Sequence, residues 1–330
     1  MKCRFISLCL LALVLLSFTN APKIRIFMIG DSTMANKVLD KGNPERGWGH
    51  VLPCFFSEDV EVFNHAVNGR STKSFIDEGR WDKVVEQLLP GDYVIIQFGH
   101  NDEKADEKRH TDPGTTFDAN LRRFCQEAMS KGAKPVLLNS IVRRNFGQNS
   151  DAVAADDSRY EAGKGPKVNE GNKLVDTHGA YLDSPRNVAT ELNIPFVDAN
   201  HLTHQLVEPM GPTASKALYM WLAPNEVELY PNGREDNTHL NIYGAHVVAR
   251  LLLDAIVKQV EELKPYVRNY DFTVAQDGSG DYFSLKDAVK AAEVFKGIPV
   301  TIRIRKGNYQ SVVLPENIKL IKDAEVSGLN

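Results

Sequence analysis

From residue 23 to about residue 263 the chain alternates short, nearly continuous apolar runs with amphipathic stretches. The runs cover residues 24–29, 60–66, 93–98, 135–139 and 195–198, and helical patterns fill 81–89, 117–131, 174–192 and 242–263. A strand that is apolar at every position is buried on both faces, and strands separated by helices return parallel to one another. The pattern therefore predicts an α/β fold: a three-layer α/β/α parallel sheet. On such sheets ligands bind outside the carboxyl ends of the strands.

Polar motifs stand at those ends. Gly30-Asp31-Ser32-Thr33-Met34 closes the first run, Asn68-Gly69-Arg70-Ser71 follows the second, and Gly99-His100-Asn101-Asp102 follows the third. Asp236-Asn237-Thr238-His239 precedes the last long helical pattern. Each has an ordinary reading alone: Ser32 as a helix cap, Gly69 as a turn glycine, Asn101 as a turn or capping residue, and Asp236 with His239 as a surface acid and a capping histidine. Together they make a full inventory for acyl transfer. A serine hydroxyl is a weak nucleophile until a base takes its proton. Asp236 and His239, three residues apart, suit a base with its orienter, because the carboxylate can hold one ring nitrogen while the other faces Ser32. The backbone N–H groups of Ser32 and Gly69 and the Asn101 amide are candidate oxyanion donors. His100 reads as a structural neighbour, and His65, His110, His178, His201 and His204, which lack such partnering, as structural or exposed.

Composition narrows the partners. The 330 residues are 42% apolar and 25% charged with a net charge of −4, which gives neither a basic footprint for nucleic acid nor a polybasic membrane anchor. Lys2 and Arg4 precede an apolar run over residues 5–18, so residues 1–21 are expected to be a secretory signal peptide, with a single membrane anchor as the alternative. The run is short of the roughly 20 residues of a spanning helix, so no stable membrane insertion is expected after its removal. Cys54 and Cys125 then remain, either bridged in an oxidising compartment or present as two small buried apolar side chains. No Cys or His spacing resembles a metal site, and no cofactor is implied.

The set Gly30-Asp31-Ser32, Gly69, Asn101 and Asp236/His239 resembles the SGNH hydrolases, also called GDSL esterases. With Gly-Asp-Ser-Thr-Met in the first block, Asn68-Gly69-Arg70-Ser71, Phe98-Gly99-His100-Asn101-Asp102 and Asp236-Asn237-Thr238-His239-Leu240, it is similar to the rhamnogalacturonan acetylesterase branch. The resemblance covers residues 23–263. It implies a secreted carbohydrate O-acetylesterase with Ser32, His239 and Asp236 as triad, Ser32, Gly69 and Asn101 as oxyanion hole, and an acetylated pectic polysaccharide or oligosaccharide as partner. Arg70, Arg143 and Arg144 follow strand-like runs and are candidates to meet galacturonate carboxylates, or else a solvated basic loop. Alternatives are an esterase of this fold acting on acetylated xylan, a lipid or a thioester, and a non-catalytic carbohydrate-binding protein. Polar loops at 147–172 and 220–238 argue against an apolar acyl groove.

After a linker at 264–270 the pattern changes. Phe272 to Tyr282, then Ser284-Leu285 and Ala288-Val289, resemble the opening of pectin methylesterases, right-handed β-helices whose catalytic aspartates and arginine come far downstream. None of those positions occurs here, so residues 271–330 are expected to be a truncated, loosely attached β-helix fragment without methylesterase chemistry, following a catalytic domain at 22–263.

Overall fold

The computed structural model describes residues 24–147, 159–160, 169–278, 280–295 and 299–329. The segment read as a signal peptide and most of the polar 147–172 loop lie outside the described residues. β1 (Ile24–Gly30), β2 (Val60–Asn64), β3 (Tyr93–Gln97), β4 (Lys134–Leu138) and β5 (Phe196–Val197) pair in parallel in the order β2-β1-β3-β4-β5. Gly30, Gln97 and Leu138 share one register level, so β1, β3 and β4 end together. The order reverses at β1, and the crevice expected there lies between the loops after β1 and β3.

Around the sheet lie α1 (Thr72–Asp77), α2 (Arg80–Val85), α3 (Thr116–Ser130), α4 (Asp183–Leu192), α5 (Ala199–Val207) and α6 (Ile242–Gln259). The period of two along β1 divides the core. Ile26 and Met28 face a layer with Ala199 and Val207 of α5 and Val248, Leu252 and Ile256 of α6. Phe27 and Ile29 face Phe75, Trp81, Phe117, Phe124 and Val188 of α1 to α4. Each such side chain, taken from water, contributes about 1.5–3 kcal/mol, which makes the sheet a stiff mount for its loops. Of the stretch 174–192 only the part from Asp183 is α-helical; a 3-10 turn, Gly179–Leu182, precedes it.

Arg234–Asn241, expected as the end of a loop, is a strand, paired antiparallel with Glu45–Arg46, Arg159–Tyr160 and Tyr219–Leu222. Its polar sequence shows no apolar alternation, and its partners supply the order. Asn241 caps α6 by accepting the Gly244 N–H at 2.9 Å. Here α6 presses on the lead-in to this sheet: a Cβ on Gly244 would stand 1.8 Å from Leu218 O, so only glycine fits.

The 264–270 stretch is fastened to the main domain. Glu261–Tyr266 forms a 3-10 helix with Leu263 in the core; Tyr266 O accepts the Ser57 N–H at 2.8 Å, and Arg268 N donates to Phe55 O at 2.8 Å. Beyond it, Phe272–Val274, Val300–Ile304 and Ile318–Lys322 form a three-stranded parallel sheet backed by α7 (Leu285–Ala292), with Val274, Leu285, Ala288, Ile302 and Ile304 as core. This unit is not loosely held. Its Phe295 ring lies 4.4 Å from His246 and 6.3 Å from Tyr243, Asp271 meets His246 at 3.3 Å, and Arg305 donates to Glu58 at 2.5 Å. Helical periodicity reveals that α6 is amphipathic but not what covers its other side. Cys54 is exposed and Cys125 buried, both as free thiols, so the two neither bridge nor share a core. Among the described residues no helix is long and apolar enough to cross a membrane, and no cluster of three His, Cys, Asp or Glu is placed to hold a metal.

Candidate active site

The turn after β1 is built by Asp31. Its Oδ1 accepts the Thr33 N–H at 2.9 Å and the Thr33 hydroxyl at 2.8 Å, while its backbone oxygen accepts Ala35 N at 3.0 Å. Ser32, 9% exposed, is left at the sheet's edge. The other Asp31 oxygen lies 3.3 Å from His100 Nδ1. Burial would raise the Asp31 carboxyl, but the His100 ring and the Thr33 bonds outweigh it and hold it at about 2. Burial lowers His100 to about 4 despite Asp31. His100 is thus a buried neutral ring at neutral pH, packed 4.6 Å from His178.

The strand Arg234–Asn241 carries Asp236 and His239 to the Ser32 turn. His239 Nε2 lies 2.8 Å from Ser32 Oγ, and His239 Nδ1 lies 2.9 Å from Asp236 Oδ2. Asp236 Oδ1 accepts the backbone N–H groups of Thr238 at 2.8 Å and His239 at 2.9 Å, and Arg234 donates to Oδ2. Burial opposes ionisation of Asp236, but His239, Arg234 and these bonds hold its carboxyl well below the usual range. A permanent carboxylate at Nδ1 fixes the proton there and leaves Nε2 to accept from the serine hydroxyl, an assignment drawn from the bonding partners.

Gly69 and Asn101 are the other candidate donors. Gly69 has φ +75°, and nothing lies within 4 Å of where a Cβ would be, so no neighbour crowds its backbone on that side. Asn101, 3% exposed, gives one amide N–H to Arg70 O at 3.1 Å and accepts from Arg109 Nη1 at 3.4 Å. An amide carries two N–H donors, so this bond fixes its direction and leaves the second for an oxyanion. Asn101→Ala is expected to slow ester turnover roughly a hundred- to a thousandfold with little change in KM, as measured by steady-state kinetics. A loss below fivefold would remove Asn101 from the oxyanion hole.

Asp102 ties these loops together. Its Oδ1 accepts from Thr72 N at 2.9 Å, Thr72 Oγ1 at 2.5 Å and Thr111 Oγ1 at 2.9 Å, whereas no hydrogen-bond partner reaches Oδ2 among the described residues. Burial pushes the carboxyl up to about 7 from an ordinary 3.8. A folded-state value above the unfolded one means stabilisation that is complete below about pH 4 and lost as pH rises through about 7. Asp102→Asn should therefore flatten the dependence of Tm on pH between these limits. Melts of both proteins at several pH values check this, and parallel curves would refute it.

Two of the three candidate arginines do not face a substrate. Arg143 is 1% exposed, pairs with Glu103, and donates to His100 O at 3.2 Å and Thr177 Oγ1 at 3.0 Å. Arg144 is 4% exposed, donates to Asn237 Oδ1 at 2.8 Å and Ser215 Oγ at 3.0 Å, and lies over the Trp221 ring at 4.7 Å. Both are taken up by protein partners, within a stretch after β4, residues 139–147, that is buried throughout. Arg70 remains half-exposed, held by Glu78 at 3.1 Å and Asn68 O at 2.9 Å. Sequence reasoning missed Lys37, Glu45 and Arg234, whose buried charges lie beside Ser32 and Asp236; no local motif marks them.

Comparison with known proteins identifies the family. The profile of the GDSL-like lipase/acylhydrolase family matches residues 28–247. A Bacillus subtilis rhamnogalacturonan acetylesterase, RhgT, is 38% identical over 244 residues, covering 74% of this chain and 94% of its own. A rhamnogalacturonan acetylesterase of Emericella nidulans is 28% identical over 267 residues, covering 75% and 90%. The crystal structure of the Bacillus subtilis protein YxiM superposes with a TM-score of 0.56 at 23% identity, over 72% of this chain and 57% of that one, and shares the fold. With a serine, a histidine and an aspartate in hydrogen-bonded sequence at the sheet's switch point, the chain is a carboxylic ester hydrolase and belongs to the GDSL-like lipase/acylhydrolase family.

Proposed function

We propose that this hydrolase removes acetyl groups from pectin, foremost from acetylated rhamnogalacturonan, through an acyl-enzyme. The observation that carries the mechanism is the Ser32–His239–Asp236 chain at 2.8 and 2.9 Å. Ser32 Oγ attacks the acetyl carbonyl as its proton passes to His239 Nε2, and Asp236 stabilises the imidazolium. The Ser32 and Gly69 backbone N–H groups and the Asn101 amide hold the tetrahedral oxyanion. His239 then gives the proton to the departing sugar oxygen, and water, deprotonated by His239, releases acetate from Ser32.

The substrate assignment draws support from the 38% identity to RhgT. Arg70 at the rim offers a cation to a uronate. The apolar run at residues 5–18 supports export through a signal peptide. For residues 271–330 we propose kinship with the opening of pectin methylesterases. Acetate release by the purified protein from acetylated rhamnogalacturonan, acetylated xylan and long-chain lipid esters tests the reading. The pectic polymer should be preferred; preference for xylan or lipid would replace the substrate, and activity surviving Ser32→Ala would remove the mechanism.

A further inference from the structure

Behind the triad runs an unbroken line of buried charge. Lys37 Nζ lies 2.8 Å from Glu45 Oε1, Glu45 Oε2 lies 3.2 Å from Arg234 Nη1, and Arg234 Nη2 pairs with Asp236 Oδ2. None of the four side chains is more than 10% exposed. Lys37 Nζ also donates to Ser32 O at 2.7 Å and to Asn68 Oδ1 at 2.7 Å. The line thus touches the residue bearing the nucleophile, the residue before Gly69, and the carboxylate that orients the base. Buried ion pairs cost much in desolvation and are weak devices for stability alone. A line of them ending on a reacting group points to another use.

We propose that Glu45 and Arg234 are positioning residues that set the basicity of His239 through Asp236, while Lys37, anchored on Glu45, holds the Ser32 turn and the Asn68–Gly69 loop in one frame with the base. This rests on the reading of Ser32, His239 and Asp236 as the triad. Arg234 binds Asp236 Oδ2, the oxygen nearest His239 Nδ1, and draws off part of the charge that would otherwise favour the imidazolium. Glu45 opposes Arg234, and its own carboxylate interacts with His239 across the strand pair. Among the described residues, the charged groups bearing on the ring are Asp236 and Arg234 from its own strand, Glu45 from the neighbouring strand and Lys37 from the loop after β1, and the buried Tyr219 phenol faces Asp236 from the strand Tyr219–Leu222. One step further lie Arg144, bound to Asn237, and Glu235, which offsets Arg144.

The signs follow. The acid limb of kcat/KM against pH reports the free-enzyme base. Loss of the Arg234 cation makes the imidazolium easier to form, so Arg234→Gln should move the limb to higher pH by about one unit. Glu45→Gln, nearly isosteric, should move it lower by a similar amount, and the double variant should return toward wild type. Arg234→Lys keeps the charge and should rescue the limb even where its kcat is reduced. The assay uses the full chain and a neutral acetyl ester, with circular dichroism to verify folding. Limbs that stay in place while kcat falls, or that move in the same direction in both single variants, would overturn the proposal. Should Arg234→Gln fail to fold, Glu45→Gln decides alone, because a limb that does not drop refutes the proposal. Ser32→Ala in parallel separates the two levels: retained turnover sinks the triad reading, whereas lost turnover with immobile limbs sinks only this proposal.

Discussion

Ser32→Ala and His239→Ala should each slow hydrolysis of a simple acetyl ester by about a millionfold, and the double variant should be scarcely slower than either. The reason is the 2.8 Å contact between Ser32 Oγ and His239 Nε2. In the proposed mechanism each residue is useless to the reaction without the other, so removing the second should cost little once the first is gone. Residual acceleration over water would come from the Gly69 and Asn101 donors and from binding. Pre-steady-state assays sensitive enough to exclude contaminating wild type would measure it. A Ser32→Ala protein with turnover near wild type would mean that another atom attacks the ester.

Asp236→Asn should cost about ten-thousandfold in kcat, with a separate loss of stability. Asparagine can keep one oxygen for the Thr238 and His239 backbone N–H groups, which puts its NH2 where Oδ2 now meets both Arg234 and His239 Nδ1. A donor there drives the imidazole proton to Nε2, where Ser32 needs an acceptor, and leaves the Arg234 guanidinium half-paired in a buried place. Turnover and Tm should therefore both fall. A loss below tenfold would show that the ring keeps its tautomer without Asp236.

The parts of this design that could be read from the sequence are those encoded locally. The apolar runs located all five central strands, and the motifs at their ends marked Ser32, Gly69 and Asn101 as candidates, because a strand's burial and a turn's chemistry each depend on a few adjacent residues. Asp236 and His239 were readable from their own spacing, but not the strand that carries them, since Arg234–Asn241 has no apolar period. The line from Lys37 to Arg234 was hidden for a different reason. Glu45 and Arg234 are 189 positions apart, and a charged residue in a polar segment reads as solvated until the fold brings its partner. Arg143 and Arg144 were misread on the same ground: burial of a guanidinium depends on distant groups such as Glu103 and Ser215.

The docking of residues 271–329 on α6 bears on how the chain comes apart. Tyr243 and His246 sit on the helix whose opposite side carries Val248 and Leu252 into the main core, so one helix is shared by two apolar clusters. Loosening the small sheet strips cover from α6 and weakens the larger one, and an isolated copy of the small sheet would lack a wall of its own core. Heating should accordingly give a single calorimetric transition, with amide exchange in Val300–Ile304 as slow as in the helix beneath it. Shortening the chain at residue 264 would uncover Tyr243 and His246 together and yield a sticky protein instead of a compact domain.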